Sequence, residues 1–308
     1  MNSPSLPATI LYLDQFVISN LSHVRNGITK PNEAFWGAVN DRLTRLIAAG
    51  KIACPVSLNH QLESSLATKS SADFKSSALA FSGGWSFASF PEVWIHQLQT
   101  SFRATLAKAP LRPWRSQAPA VLLRTIPFSQ YSEVEIDNLQ NQKKKDTAEV
   151  EHLSSNVFAT NAGKSIQKWH DDEFAVRLKR YAPFLVETVQ VNLREAALHF
   201  LEGPASQSVP FLNTSAWMSA AFARKCAGGQ KKALGSILAD IQFIACLSPY
   251  CDAMFVDREC HGLWSEMFNS ARITLPTRLF SLGDTTAFIT FLDNLIVDED
   301  RKLPTDSQ

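Results

Sequence analysis

No uncharged apolar run in this 308-residue chain approaches the roughly 18 residues that a membrane-spanning helix needs, so no membrane partner is expected. Neither charge is in excess. Lys and Arg number 30 against 29 Asp and Glu, a formal net charge of +1, which excludes a global electrostatic signature of nucleic-acid binding and confines any such binding to a local basic patch. A CxxC pair is missing. The five cysteines, Cys54, Cys226, Cys246, Cys251 and Cys260, are odd in number and sit mostly in apolar segments. That pattern points to reduced thiols and a cytoplasmic location, not to a disulfide framework or a zinc site. No basic region precedes the first apolar stretch, which Asp14 interrupts, so a signal peptide is not expected. Repeats and low-complexity tracts are also lacking. What remains is a chain 45% hydrophobic and 19% charged, enough for one large domain or one domain carrying an insertion.

The two ends of the chain share a pattern. Thr9 to Leu13 is a compact β-favouring run ending at Asp14, and Gln15 to Leu21 continues as a helix. Glu33 to Ala49 places Phe35, Val39, Leu43, Leu46 and Ile47 on one helical face, with Gly50 as the stop. Ile52 to Ser57 reads as a second strand and Leu58 to Ala67 as the helix after it. Near the other end, a helix from Lys231 through Ala245 leads into a strand over Asp252 to Val256, a helix around Trp264 to Phe268, a short strand at Arg278 to Ser281 and a closing helix over Thr285 to Ile296. Between Ser70 and Gly229 the patterns are mainly helical, with Phe174 to Leu201 amphipathic and broken near Pro183. Alternating strands and helices predict an α/β fold around a parallel sheet. The expected organisation is one discontinuous α/β domain from residues 1–69 and 230–308, with a large helical insertion over 70–229.

Two of the strands deliver a carboxylate at the C-terminal tip, Asp14 after the first and Asp257 after the late one. That edge of an α/β sheet is where sites are built. Glu63 on the helix after the second strand and Asp240 on the helix before the late strand join them as candidates, and Asp252, which begins the late strand, is a weaker one. Carboxylates brought together must share a cation, share a proton or repel one another. Taken singly, Asp14 also fits a helix N-cap, Glu63 a solvated helix residue and Asp252 a turn. His60, three residues before Glu63, would share its helical face, either touching a phosphate or making structural hydrogen bonds. Arg224, Lys225, Lys231 and Lys232 lie on the approach to the Asp240 helix, and Arg258 follows Asp257. Such cations could contact phosphates.

The order and setting of these acids resemble those of the PIN-domain nucleases. LYLDQFVISNL looks like the family's first strand with its acid, PVSLNHQLES like its second strand and Glu-bearing helix, and ADIQFIACLSPYCDAMFVDRE like its helix-strand segment with two further acids. LFSLGDTTAFITFLDNL is similar to its last strand and helix. The resemblance covers about half the chain in two blocks. The chain departs from the family pattern in two respects. Gln15 and Phe16 stand where a small hydroxyl residue and Asn or Ser are more usual, and the interval from Glu63 to Asp240 far exceeds what a minimal PIN domain needs. An extended, PIN-like member is therefore implied.

That resemblance implies a PIN-like three-layer fold and a metal-dependent nuclease acting on RNA in preference to DNA. Mg²⁺ or Mn²⁺ would be held by Asp14, Asp240 and Asp257, with Glu63 as a ligand or an orienter of the attacking water and Asp252 further out. A homodimer and a protein partner that inhibits the activity are compatible with it. Two other readings stay open, a non-catalytic PIN-like scaffold that binds nucleic acid or protein and a hydrolase of small phosphate esters.

Overall fold

A computed structural model describes residues 6–57, 71–124, 163–229, 236–270 and 275–300, together with positions 60, 61, 64, 141, 144, 145, 148, 152 and 161. Its centre is a four-stranded, all-parallel sheet in the order β2-β1-β5-β6, where β1 is Thr9–Leu13, β2 Ile52–Ala53, β5 Ala253–Phe255 and β6 Arg278–Phe280. The two central strands thus come from opposite ends of the sequence. Leu11, Tyr12 and Leu13 stand beside Ala253, Met254 and Phe255, and the amide of Asp14 donates to the carbonyl of Phe255 at 3.0 Å.

All five residues of β1 are buried, as expected of a strand covered on both faces. Alternation divides its side chains between two cores. Ile10 and Tyr12 join Met254 and Val256 in one cluster, while Leu11 and Leu13 join Ala253 and Phe255 in the other. Each fully buried side chain of this size stabilises the fold by roughly 1.5–3 kcal/mol.

Four helices cover the second face: α1 (Gln15–Arg25), α2 (Glu33–Ala48), α3 (Ser71–Phe81) and α10 (Thr285–Asp300). Val17, Leu21, Val39, Leu43, Phe81 and Phe288 supply their contribution to that core. The first face carries α4 (Phe90–Leu106), α5 (Ile166–Thr188), α6 (Arg194–Glu202), α7 (Pro210–Ala227), α8 (Ile237–Leu247) and α9 (Arg258–Ser270). The large, mainly helical insertion, α4 to α7, is therefore packed together with α8 and α9 as a layer over the sheet. Its central helix, α7, packs against α5, α8 and α9. Gln97, fully buried on α4, clips the layer together. Its Nε2 donates to the Cys246 carbonyl at 2.8 Å and its Oε1 accepts from the Phe211 amide at 2.7 Å.

The middle of the chain is not wholly helical. β3 (Trp85–Phe87) and β4 (Leu122–Arg124) form an antiparallel pair, attached to the region beyond β2 by the Phe87 amide, which donates to the Val56 carbonyl at 2.8 Å. Partners such as Phe87 and Leu122 or Trp85 and Arg124 are too far apart in sequence for periodicity to reveal the pair. The second strand is also shorter than its pattern suggests, and α5 runs through Pro183 to Thr188 before the chain breaks ahead of Arg194. Among the described residues, no helix is long and apolar enough to cross a membrane.

Candidate metal centre at the carboxyl edge of the sheet

The strand order reverses between β1 and β5: β1 connects through α1 and α2 to β2 on one side, β5 through α9 to β6 on the other. A parallel sheet leaves a crevice outside the carboxyl ends of the strands at such a switch point. Asp14 and Asp257 emerge there, one residue after β1 and two after β5. Asp240 reaches the same place from the first turn of α8. The three line one cleft of ≈ 440 Å³.

Local chemistry explains how each acid is held. Asp14 caps α1, its Oδ1 accepting from the Gln15 amide at 2.7 Å. Asp257 begins α9 in the same way, its Oδ1 accepting from the Cys260 amide at 2.7 Å. Asp240 sits within the first turn of its helix, where its amide donates to the Ser236 carbonyl at 3.0 Å. Three helix N-termini therefore face the cleft, and their partial positive charge offsets part of the repulsion among the carboxylates.

A carboxylate oxygen of Asp240, one of Asp257 and the Sγ of Cys260 lie within 4.8 Å of one another. Burial, and after it the charges of Asp257, Asp240 and Asp14, push the Cys260 thiol well above its ordinary value, which keeps it protonated. The donors on offer are thus hard oxygens. Three carboxylates at helix and strand ends suit a small oxygen-seeking cation such as Mg²⁺ or Mn²⁺, and this donor set fits such an ion better than zinc.

Other expected members lie elsewhere. Asp252 sits at the opposite, amino edge of the sheet, which corrects its assignment as an outer member of the acidic cluster. Its Oδ2 accepts from the Ile10 amide at 2.7 Å and from Arg115 Nε at 2.8 Å, so it anchors the start of β1. Of the two readings of His60, structural hydrogen bonding is the one its surroundings support. Its ring is buried and stacked on Tyr12. Nδ1 accepts from the Ser57 amide at 3.1 Å, and Nε2 donates to the Leu13 carbonyl at 2.8 Å. Both nitrogens are committed to the protein, and none faces a substrate. Glu63, Lys231 and Lys232 lie outside the described residues.

Of the remaining cations, Arg224 pairs with Glu266 at 2.8 Å and Lys225 with Glu259 at 3.3 Å, both on α9. Arg258 is exposed next to Asp257. The wall of the cleft that α1 supplies is Gln15, Phe16, Ser19, Asn20 and His23; of these, Gln15 and Phe16 stand out in the sequence only as departures from the PIN-domain pattern. Phe16, Ser19, Asn20 and His23, at successive intervals of three, one and three residues, recur at the spacing that places side chains on one helix face.

Comparison of the chain with models of known protein families, with curated proteins and with solved structures finds no match.

Proposed function

We propose that this protein is a metal-dependent nuclease of PIN-like type that hydrolyses phosphodiester bonds, with RNA as the preferred polymer. One observation carries the reading: Asp14, Asp240 and Asp257 converge on a single cleft at the switch point of a parallel sheet. The parallel-sheet α/β fold with its helical insertion is consistent with a PIN-like architecture. When bound, Mg²⁺ or Mn²⁺ supplies Lewis-acid stabilisation of the phosphodiester and lowers the pKa of a water that attacks phosphorus.

The chain's own residues do the rest. Asp14, Asp240 and Asp257 hold the cation, and the three helix N-termini offset part of the repulsion among them. Glu63 is a further ligand or water-orienting group. Arg258 is the exposed guanidinium placed to meet a phosphate beside Asp257, whereas Arg224 and Lys225 spend their charge on α9. The buried thiol of Cys260 positions Asp257 and does not act as a nucleophile, because burial and the carboxylates hold it protonated.

The test is cleavage of labelled single-stranded RNA and DNA by purified protein with Mn²⁺ or Mg²⁺, against an EDTA control and Asp14→Asn. Metal-dependent cleavage that vanishes in the variant supports the nuclease. Intact substrate, with no calorimetric binding of Mn²⁺, replaces it with the non-catalytic scaffold.

A further inference from the structure

The wall of the cleft formed by α1 has a chemistry of its own. Among the described residues, the α1 wall brings no lysine or arginine to this cleft; it offers an aromatic ring and polar side chains. Phe16, Asn20 and His23 are all half-buried on that wall. The Phe16 ring is fixed from behind, edge-on to Trp36 at 6.3 Å and tilted against Phe255 at 6.1 Å.

The Asn20 amide is oriented by the backbone. Its Nδ2 donates to the Phe16 carbonyl at 2.7 Å. A carbonyl can only accept, so the group at that distance is the NH₂ and the amide flip is settled. That leaves Oδ1, an acceptor without a partner among the described residues, as the atom to meet a ligand. One turn further along, Nδ1 of His23 is buried and has no hydrogen-bond partner among the described residues. A buried polar atom in that state asks for a ligand or a water.

A half-exposed aromatic ring, a fixed acceptor and an unsatisfied imidazole nitrogen are the components with which proteins take an unpaired base: stacking on the face and hydrogen bonding at the edge. At ≈ 440 Å³ the cleft has room for about one nucleotide. We infer that the α1 wall is a one-nucleotide subsite for single-stranded nucleic acid, with Phe16 under the base, Asn20 Oδ1 accepting from a base N–H and His23 bonding the adjoining sugar or phosphate. Asn20 is thus a specificity-determining residue. This rests on the nuclease reading, since the subsite lies beside the carboxylates that would hold the cation.

The experiment measures equilibrium binding of short fluorescent strands with Ca²⁺ in place of Mg²⁺ or Mn²⁺, so that affinity is read apart from hydrolysis. The probes are single-stranded oligocytidylate in ribose and deoxyribose forms, an abasic strand of equal length and a duplex. We expect the base-bearing single strands to bind at least about 10-fold more tightly than the abasic strand, by stacking and edge contacts together. Duplex binding should be weaker. Asn20→Ala should cut the discrimination between base-bearing and abasic strands about 5-fold, the effect of one hydrogen bond, while leaving affinity for the abasic strand and for Mn²⁺ unchanged. A residue that merely supports the helix would instead weaken both strands equally. The ribose and deoxyribose arms report whether the sugar is read. Equal binding of abasic and base-bearing strands, no binding at all, or unaltered discrimination in Asn20→Ala overturns the subsite. Discrimination without cleavage in Mn²⁺ would leave the subsite standing and remove the nuclease; cleavage without discrimination would do the reverse.

Discussion

The amide of Asp14 donates to the carbonyl of Phe255 at 3.0 Å, which ties the last residue of one central strand's exit to the last residue of the other. Asp257 leaves two residues beyond Phe255, so this one backbone bond sets Asp14 and Asp257 side by side. Replacing either carboxylate by the isosteric amide tests the charge without disturbing that register. Asn is as good a helix cap as Asp, so Asp14→Asn and Asp257→Asn should change unfolding free energy by less than about 1 kcal/mol. Metal-dependent cleavage should fall by at least about 100-fold, since even residues supporting a ligand carry effects of about 10- to 100-fold. Full activity in both variants would remove these acids from the chemistry.

The same geometry predicts a link between cation and stability. Without a cation the three acids repel one another, and any ion that binds only the folded state stabilises it by mass action. Mn²⁺ at 100 times its dissociation constant should add about 2.7 kcal/mol, read as a higher melting temperature than in EDTA. In Asp240→Asn the increment should largely disappear, and the EDTA baseline should be no lower than wild type because one repelling charge has gone. An unchanged increment in this variant would place the cation elsewhere.

Much of this site is legible before the fold is known, for physical reasons that vary from residue to residue. β1 and its acid are legible because five buried residues in a row end abruptly at a helix cap. β5 is legible for the same reason, and the helices over Glu33–Ala48 and Thr285–Asp300 announce themselves by period. Asp252 misleads because a carboxylate at the start of a strand and one at its tip look alike in sequence. Only the register, which sets Ile10 and Arg115 beside Asp252, separates them. His60 misleads because helical spacing shows which residues share a face, and not that the face is buried beneath Tyr12 and Leu13. β3 and β4 are illegible since they are three-residue strands set among helical patterns, paired across a long stretch of chain and without the strand-helix alternation that marks β5 and β6.

Asp252 gives a contrast to the site acids. Its Oδ2 joins the Ile10 amide to the Arg115 guanidinium, whose Nη2 also donates to the carbonyls of Pro7 and Ala8 at 3.2 and 3.1 Å. Asp252→Ala strips a charged acceptor from both donors, and hydrogen bonds to charged groups contribute about 1.5–3 kcal/mol. Because the pair is partly exposed, a loss near the lower end, about 2 kcal/mol, is expected in urea unfolding. Mn²⁺ affinity and cleavage should stay at wild-type levels below the transition. Loss of metal binding with unaltered stability would return Asp252 to the acidic cluster.

His60 makes stability depend on pH. Burial lowers its pKa from 6.5 to about 4, although the bond to the Leu13 carbonyl pulls the other way. The neutral ring is what the fold accepts: a proton placed on Nδ1 would meet the Ser57 amide, which already donates to it. Between these two values the unfolded chain binds the proton and the folded chain does not, so stability falls as pH drops through 6.5 and the loss levels off near pH 4. Over the part of that window above the carboxylate range, from pH 7.5 to 5, the loss should be roughly 2 kcal/mol. Urea unfolding across this range measures it. His60→Phe gives up the bonds to Ser57 and Leu13 and should be less stable at every pH, yet its stability should be flat from pH 7.5 to 5. If the variant keeps the slope, another group carries the titration. If the wild type is flat, the imidazole is not held neutral against the end of β1, and its place beneath Asp14 has to be drawn differently.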